Sequence, residues 1–175
     1  MDPRLQALID RQDILDVLHQ YVHGCDRSDE PRIAEVYLPG AMDNHGLFQG
    51  TGEELAKFVC DSNPQYTTMS HLLGQSTIHI DGDKAGAETY FNATIARMEG
   101  DVRYLDMMGG RYVDKFERRD GKWRVLDRVC TCEWSYTMRV ENEWHRDSGF
   151  YFGKWDKSDI AYSVLGLDKE PVAAE

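Results

Sequence analysis

Cysteine is scarce in this chain, and long apolar runs and an excess of positive charge are absent altogether. Four cysteines, Cys25, Cys60, Cys130 and Cys132, serve 175 residues, and no pair has the C-x-x-C spacing of a zinc knuckle or a redox motif. They read as reduced thiols, mostly buried, with Cys130 and Cys132 on one face of a strand. No stretch is apolar enough to span a bilayer, and the N-terminus, Met-Asp-Pro-Arg, has no signal-like core, so the expected location is the cytoplasm. A formal net charge of -11 argues against a nucleic-acid partner, because a phosphate backbone would be repelled. A glycine-rich phosphate loop, a G-x-S-x-G elbow and a Rossmann fingerprint are missing as well, which leaves nucleotide and serine-hydrolase chemistry unsupported.

What is present suits a folded protein: 41% hydrophobic and 11% aromatic residues, in a length that fits one domain spanning residues 1–175. From Leu5 to Cys25, apolar residues at Leu5, Leu8, Ile9, Leu15, Leu18 and Val22 have helical spacing. Gly24 weakens that helix, and Ser28-Asp29-Glu30-Pro31 starts a short second one that ends before Pro39-Gly40. A third, from Gly52 or Glu53 to Cys60, turns Leu55, Phe58 and Val59 inward and closes at Asn63-Pro64.

The period then changes. Leu72 to Ile80, Ala85 to Met98, Asp106 to Arg118 and Trp123 to Trp134 are rich in β-branched and aromatic residues. Gly82, Gly100 and Gly121 mark the turns between them, which predicts consecutive antiparallel hairpins. Helices followed by a strand meander make an α+β fold, with helices packed on one face of a curved sheet that closes a cone around a pocket. Beyond Ser135 the period is lost, yet Trp144, Phe150, Tyr151, Phe152 and Trp155 predict that residues 135–175 pack on the domain or on a neighbouring subunit. The end from about Asp168 reads as frayed.

Asp26 and His71 are the first candidates for chemistry, since a carboxylate that orients an imidazole can remove a proton without metal or cofactor. Asp26 reads either as that carboxylate or as the opening of the next turn, and His71 at a strand entry as base or as structure. Arg128 lies in an otherwise apolar strand and needs an anion, supplied by Asp106 or Asp114 across the sheet or by a substrate. Tyr21 is the tyrosine nearest Asp26 and a candidate acid. His45 sits in a polar loop. With Tyr37, Tyr90, Tyr112 and Trp134, it completes the candidate substrate contacts. His19 and His23, four apart on a helix, lack the further ligands of a metal site, and no metal is expected.

The order of these signals resembles the SnoaL-like branch of the nuclear transport factor 2 superfamily over about residues 5 to 134. The residues that carry the likeness are Tyr21-x-x-x-x-Asp26, Asp43-x-His45-Gly46-x-Phe48-x-Gly50 and Ser70-His71-x-x-Gly74. The run from Gly110-Arg111-Tyr112-x-Asp114 through Glu117-Arg118-Arg119-Asp120-Gly121-x-Trp123-Arg124-Val125 to Arg128 completes it. The resemblance implies a cone-shaped α+β barrel of the cystatin-like type. In relatives such as scytalone dehydratase, hexachlorocyclohexane dehydrochlorinase and bile acid 7α-dehydratase, an Asp-His pair abstracts a proton while a neighbouring group leaves. Carried over, it makes His71 the base, Asp26 its orienting partner, Arg128 an aid to the leaving group and Tyr21 a tyrosine beside the pair. Tyr21 stands near where the dehydrochlorinase places a lysine, so substrate does not transfer directly.

The expectation is a cofactor-independent lyase for a hydrophobic, aromatic or polycyclic small molecule. The superfamily also contains formaldehyde-releasing lyases of diarylpropanes, isomerases, polyketide cyclases and members that only bind. A homo-oligomer, a trimer or else a dimer, is expected too.

Overall fold

A computed structural model describes residues 2–61, 66–145 and 147–168. Helix α1 (Pro3–Asp26) begins where the Asp2 carboxylate accepts from the backbone N–H of Arg4 at 2.8 Å, with Pro3 in the first turn. Its buried stripe is Ile14, Leu18, Tyr21, Val22 and Cys25. Leu5 and Leu8, expected in that stripe, are exposed. Asp10 is buried instead, accepting from Trp123 Nε1 at 3.1 Å and paired with Arg118.

Helix α2 (Glu30–Glu35) follows with Asp29 at its N-cap, although that side chain makes no capping bond. Strand β1 (Tyr37–Asn44) and strand β2 (Gln49–Thr51) were not foreseen, because Pro39-Gly40 reads as a break. The strand absorbs those residues as a bulge between Tyr37 and Met42, where Gly40 takes φ 72°. Helix α3 (Gly52–Asp61) opens with a reciprocal capping box, Thr51 N–H to Glu54 at 2.8 Å and Glu54 N–H to the Thr51 hydroxyl at 3.2 Å. Gly52 is required there, since a Cβ would lie 2.2 Å from the Tyr37 ring. Leu55 points inward as expected, whereas Phe58 is exposed and stacks on Phe48. Asn63 and Pro64, the expected stop, lie outside the described residues.

Four long strands form the meander: β3 (Tyr66–Asp81), β4 (Lys84–Glu99), β5 (Val102–Arg119) and β6 (Lys122–Arg139). Two-residue turns join them, and in the last both Asp120 and Gly121 have positive φ, at 53° and 74°, as a hairpin with right-handed twist prefers. Strand β6 runs past Trp134 to Arg139, pairing Ser135 with Met108 and Thr137 with Asp106, so pairing continues where the sequence period fades. The sheet order is β2-β1-β6-β5-β4-β3, and only β1 and β6 run parallel. The result is an α+β fold in which the helices cover one face of a curved, mostly antiparallel sheet that does not close. Phe91, Tyr112, Phe116, Trp123 and Val125 face the helices and make the core with the α1 stripe.

The chain after β6 returns to α1. Trp155 Nε1 donates to the carbonyl of Cys25 at 2.9 Å and its ring meets Tyr66. Helix α4 (Ile160–Leu165) is capped by Asp159 and sends the Tyr162 hydroxyl to Asp29 at 2.7 Å. Trp144, Phe150, Tyr151 and Phe152 remain exposed. Among the described residues no helix is long and apolar enough to cross a membrane.

Candidate active site

The end of α1 and the start of β3 meet at Asp26 and His71. One oxygen of Asp26 accepts from His71 Nδ1 at 2.6 Å and the other from the His71 backbone N–H at 2.9 Å. Two bonds fix the imidazole against the carboxylate. A carboxylate only accepts, so Nδ1 carries the hydrogen and Nε2 keeps its lone pair for an incoming proton. The His71 and Asp26 side chains are 10% and 15% exposed, so neither is sealed from solvent. Behind the His71 ring stands Phe91, at 6.3 Å between centroids, and Phe91 stacks on Tyr112 at 4.4 Å.

Beneath that stack, three neighbouring strands place a row of charge. The register pairs Asp43 of β1 with Arg128 of β6, and Arg128 with Asp114 of β5. Arg128 is 0% exposed. It donates to both oxygens of Asp114, at 2.7 and 2.8 Å, and lies 4.3 Å from the ring centre of Tyr21 and 4.4 Å from that of Tyr112. Burial disfavours the guanidinium charge, and Asp114 with the tyrosines more than offsets this, holding it above its ordinary value. Of the two partners expected, Asp114 is the one engaged; Asp106 pairs with Arg97. With its donors committed to Asp114 and Tyr37, Arg128 positions the tyrosines and does not open toward a ligand.

A second histidine joins from the other side. His45 Nδ1 meets Asp43 at 2.6 Å, the Tyr37 hydroxyl donates to the other Asp43 oxygen at 2.6 Å, and His45 Nε2 lies 3.3 Å from the Tyr21 hydroxyl. Burial pushes the Asp43 carboxyl up, but the bond and charge of His45, with Arg128 and Tyr37, hold it below the usual carboxylate range. Burial above all drives the phenols of Tyr21, Tyr37 and Tyr112 well above theirs, with Cys25 adding to it at Tyr21 and Tyr112, Asp43 adding at Tyr37, and Arg128 opposing it at all three.

The structure thus gathers Tyr21, Asp26, Tyr37, His45, His71, Tyr112 and Arg128 on the helix-facing side of the sheet. It does not bring Tyr90 and Trp134 there. Tyr90 alternates with the inward Phe91, and Trp134 pairs with Gly109 on the outer face, where both border a groove of about 460 Å³ with Leu72 and Asn92. Cys132 is exposed and Cys60 and Cys130 are half-buried, so only Cys25 is a fully buried thiol. His19 faces solvent and His23 packs against Tyr162, and among the described residues no three His, Cys, Asp or Glu side chains converge as metal ligands. Sequence reasoning missed Asp43 and Phe91. The signal for Asp43 was its spacing of two from His45, which puts both on one side of an extended segment.

The family model described as the SnoaL-like domain matches residues 6–129. The uncharacterized protein Rv2910c of Mycobacterium tuberculosis is 25% identical over 126 residues, covering 70% of this chain and 84% of its own. Among solved structures, a type 2 hexachlorocyclohexane dehydrochlorinase (LinA) superposes with a TM-score of 0.69 at 21% identity, over 84% of this chain and 99% of that one. An NTF2-like protein with a cystatin-like fold from Novosphingobium aromaticivorans gives a TM-score of 0.59 at 20% identity, over 74% and 86%.

Proposed function

The chain belongs to the SnoaL-like domain family, and from that membership we propose that it is a cofactor-independent lyase, acting in the cytoplasm on a hydrophobic, aromatic or polycyclic small molecule. The observation that carries this reading is the 2.6 Å bond between Asp26 and His71 Nδ1, which leaves the Nε2 lone pair as the base. His71 takes a proton from a substrate carbon, and Asp26 stabilises the imidazolium that forms, a positioned general base of the kind worth about 10²–10⁴ in rate. Phe91 backs the imidazole and Tyr112 stacks on Phe91 behind it, so the base stands against an apolar, aromatic support. The dehydrochlorinase named in the structural comparison eliminates a leaving group beside a carbon, the same reaction class.

Oligomerisation belongs to the same proposal. Tyr90, Val113, Val129, Trp134 and Tyr136 leave an apolar outer sheet face exposed, suited to a trimer.

Screening aromatic alcohols and ethers for elimination, with His71→Ala and Asp26→Asn beside the wild type, tests the lyase. Both variants should keep the wild-type circular dichroism and lose about 10²-fold or more of the turnover. Turnover that survives His71→Ala removes the central claim.

A further inference from the structure

Elimination by His71 and Asp26 leaves the second aspartate-histidine pair without a task. Asp43 is 1% exposed, and both its oxygens are engaged, one by Tyr37 and one by His45 Nδ1. Held as a carboxylate, Asp43 only accepts, so Nδ1 of His45 keeps its hydrogen and Nε2 is the atom that gains or gives a proton. The group opposite Nε2, at 3.3 Å, is the Tyr21 hydroxyl. The two ends of this line differ in access: the His45 side chain is 23% exposed, whereas Tyr21 is buried. Turn geometry holds the histidine in place, with its backbone N–H on the carbonyl of Phe48 at 2.8 Å.

We propose that Asp43, His45 and Tyr21 form a proton relay that carries a proton from solvent to an oxygen departing from the substrate, and that the substrates are therefore β-hydroxy or β-alkoxy compounds, not halides. This rests on the lyase reading of His71. A halide leaves as a stable anion and needs no proton. Hydroxide or alkoxide is a poor leaving group until its oxygen is protonated, and only such a substrate gives the relay work.

His71 Nε2 takes the proton from carbon, and the freed electron pair forms the double bond. The carbon–oxygen bond breaks with its electrons on oxygen, which takes the Tyr21 proton while Tyr21 takes the Nε2 proton of the His45 imidazolium. Water or alcohol departs, His71 is left protonated and His45 neutral. Exchange with solvent at the two partly exposed imidazoles resets both. Tyr21 never becomes a phenolate, a form that its burial disfavours. Tyr21 is the donor to substrate; His45 and Asp43 act through it and are positioning residues.

The test uses an aryl ketone with a β-hydroxyl and the same ketone with a β-chlorine, each measured above its spontaneous rate, on wild type, His45→Gln, Tyr21→Phe and His71→Ala. His45→Gln and Tyr21→Phe should each slow the hydroxy substrate about 10²-fold or more, and by about tenfold more than the chloro substrate. The acid limb of the hydroxy pH profile should move in His45→Gln. Equal losses on both substrates, or undiminished hydroxy turnover, overturn the relay and leave the lyase standing. Turnover of both by His71→Ala overturns the lyase reading itself. Nitrogen-15 NMR of the wild type decides without turnover: neutral His45 should carry its hydrogen on Nδ1, and Tyr21→Phe should shift its Nε2 signal but not that of His71. Hydrogen on Nε2, or no response to Tyr21→Phe, overturns the relay.

Discussion

Removing Asp114 should be among the most damaging single changes in this protein. Its carboxylate and the Arg128 guanidinium are both 0% exposed, joined by bonds of 2.7 and 2.8 Å. In Asp114→Ala the guanidinium keeps its charge and its place between Tyr21 and Tyr112, but it is left with one hydrogen-bond partner, the Tyr37 hydroxyl at 3.4 Å, and with the Asp43 carboxylate as a neighbouring charge that it does not bond. Stranding one partner of a buried pair costs about 3–5 kcal/mol. For a chain of this length each kcal/mol moves the melting temperature by about 2–4 °C, so the variant should melt about 6–20 °C lower. Replacing both partners, as Asp114→Leu with Arg128→Met, removes the charge along with its partner and should recover most of the loss, because apolar substitutes for a buried pair are often neutral or better. Urea and thermal unfolding followed by circular dichroism at neutral pH measure all three proteins. A loss below about 1 kcal/mol in Asp114→Ala, or a double variant no more stable than the single, refutes the reasoning.

The C-terminal return should loosen in acid. Burial pushes Asp29 up, but the Tyr162 and Lys157 bonds outweigh it, and Asp159 is held low first by the N–H groups of Lys154 and Ala161; both carboxyls thus lie below their ordinary value. Their stabilisation is complete above the ordinary carboxylate value of about 4 and is lost as pH falls through the lowered folded values. Fluorescence of Trp155, with Trp155→Phe as the blank, should report release below about pH 4. Asp29→Asn should show part of it at neutral pH, and an unchanged signal would contradict this. The protein should also scatter light as a trimer at micromolar concentration, and Trp134→Lys should reduce it to a monomer. A monomeric wild type ends that proposal.

Much of the fold was legible because its signals were local. The α1 stripe of Leu18 and Val22 and the glycine turns at Gly82, Gly100 and Gly121 each depend on neighbours a few residues away. Strand β1 was hidden for the opposite reason: Pro39-Gly40 breaks local pattern, and the strand exists through parallel pairing with β6, more than eighty residues later in the chain by register. His45 was read as a polar-loop residue and a candidate substrate contact, but its pairing was missed because the partner that orders it, Asp43, lies on that unseen strand. Arg128 announced its need for an anion, yet only the register of β5 against β6 selects Asp114 over Asp106. Tyr90 and Trp134 were misplaced by strand parity, which a tyrosine next to a phenylalanine leaves ambiguous and a bulge at Gly109 and Gly110 re-phases.

The long reach of Asp10 has a consequence for how this chain is made. It is bound by Trp123, 113 residues downstream, and by Arg118, so the cover of α1 is complete only when the start of β6 has been made. At about 5–20 residues per second a ribosome takes roughly 6 to 23 s to cross that gap, during which α1 can meet β3 but lacks the β6 part of its cover. The hairpins from β3 to β6 assemble with near neighbours, whereas the Asp26–His71 and Tyr21–His45 contacts wait for α1 to dock, since Tyr21 and Asp26 ride on it. A chain stalled before β6 therefore holds α1 against β3 at most, with Asp10 unpaired by Trp123 and the β6 part of its cover missing until the final strand arrives.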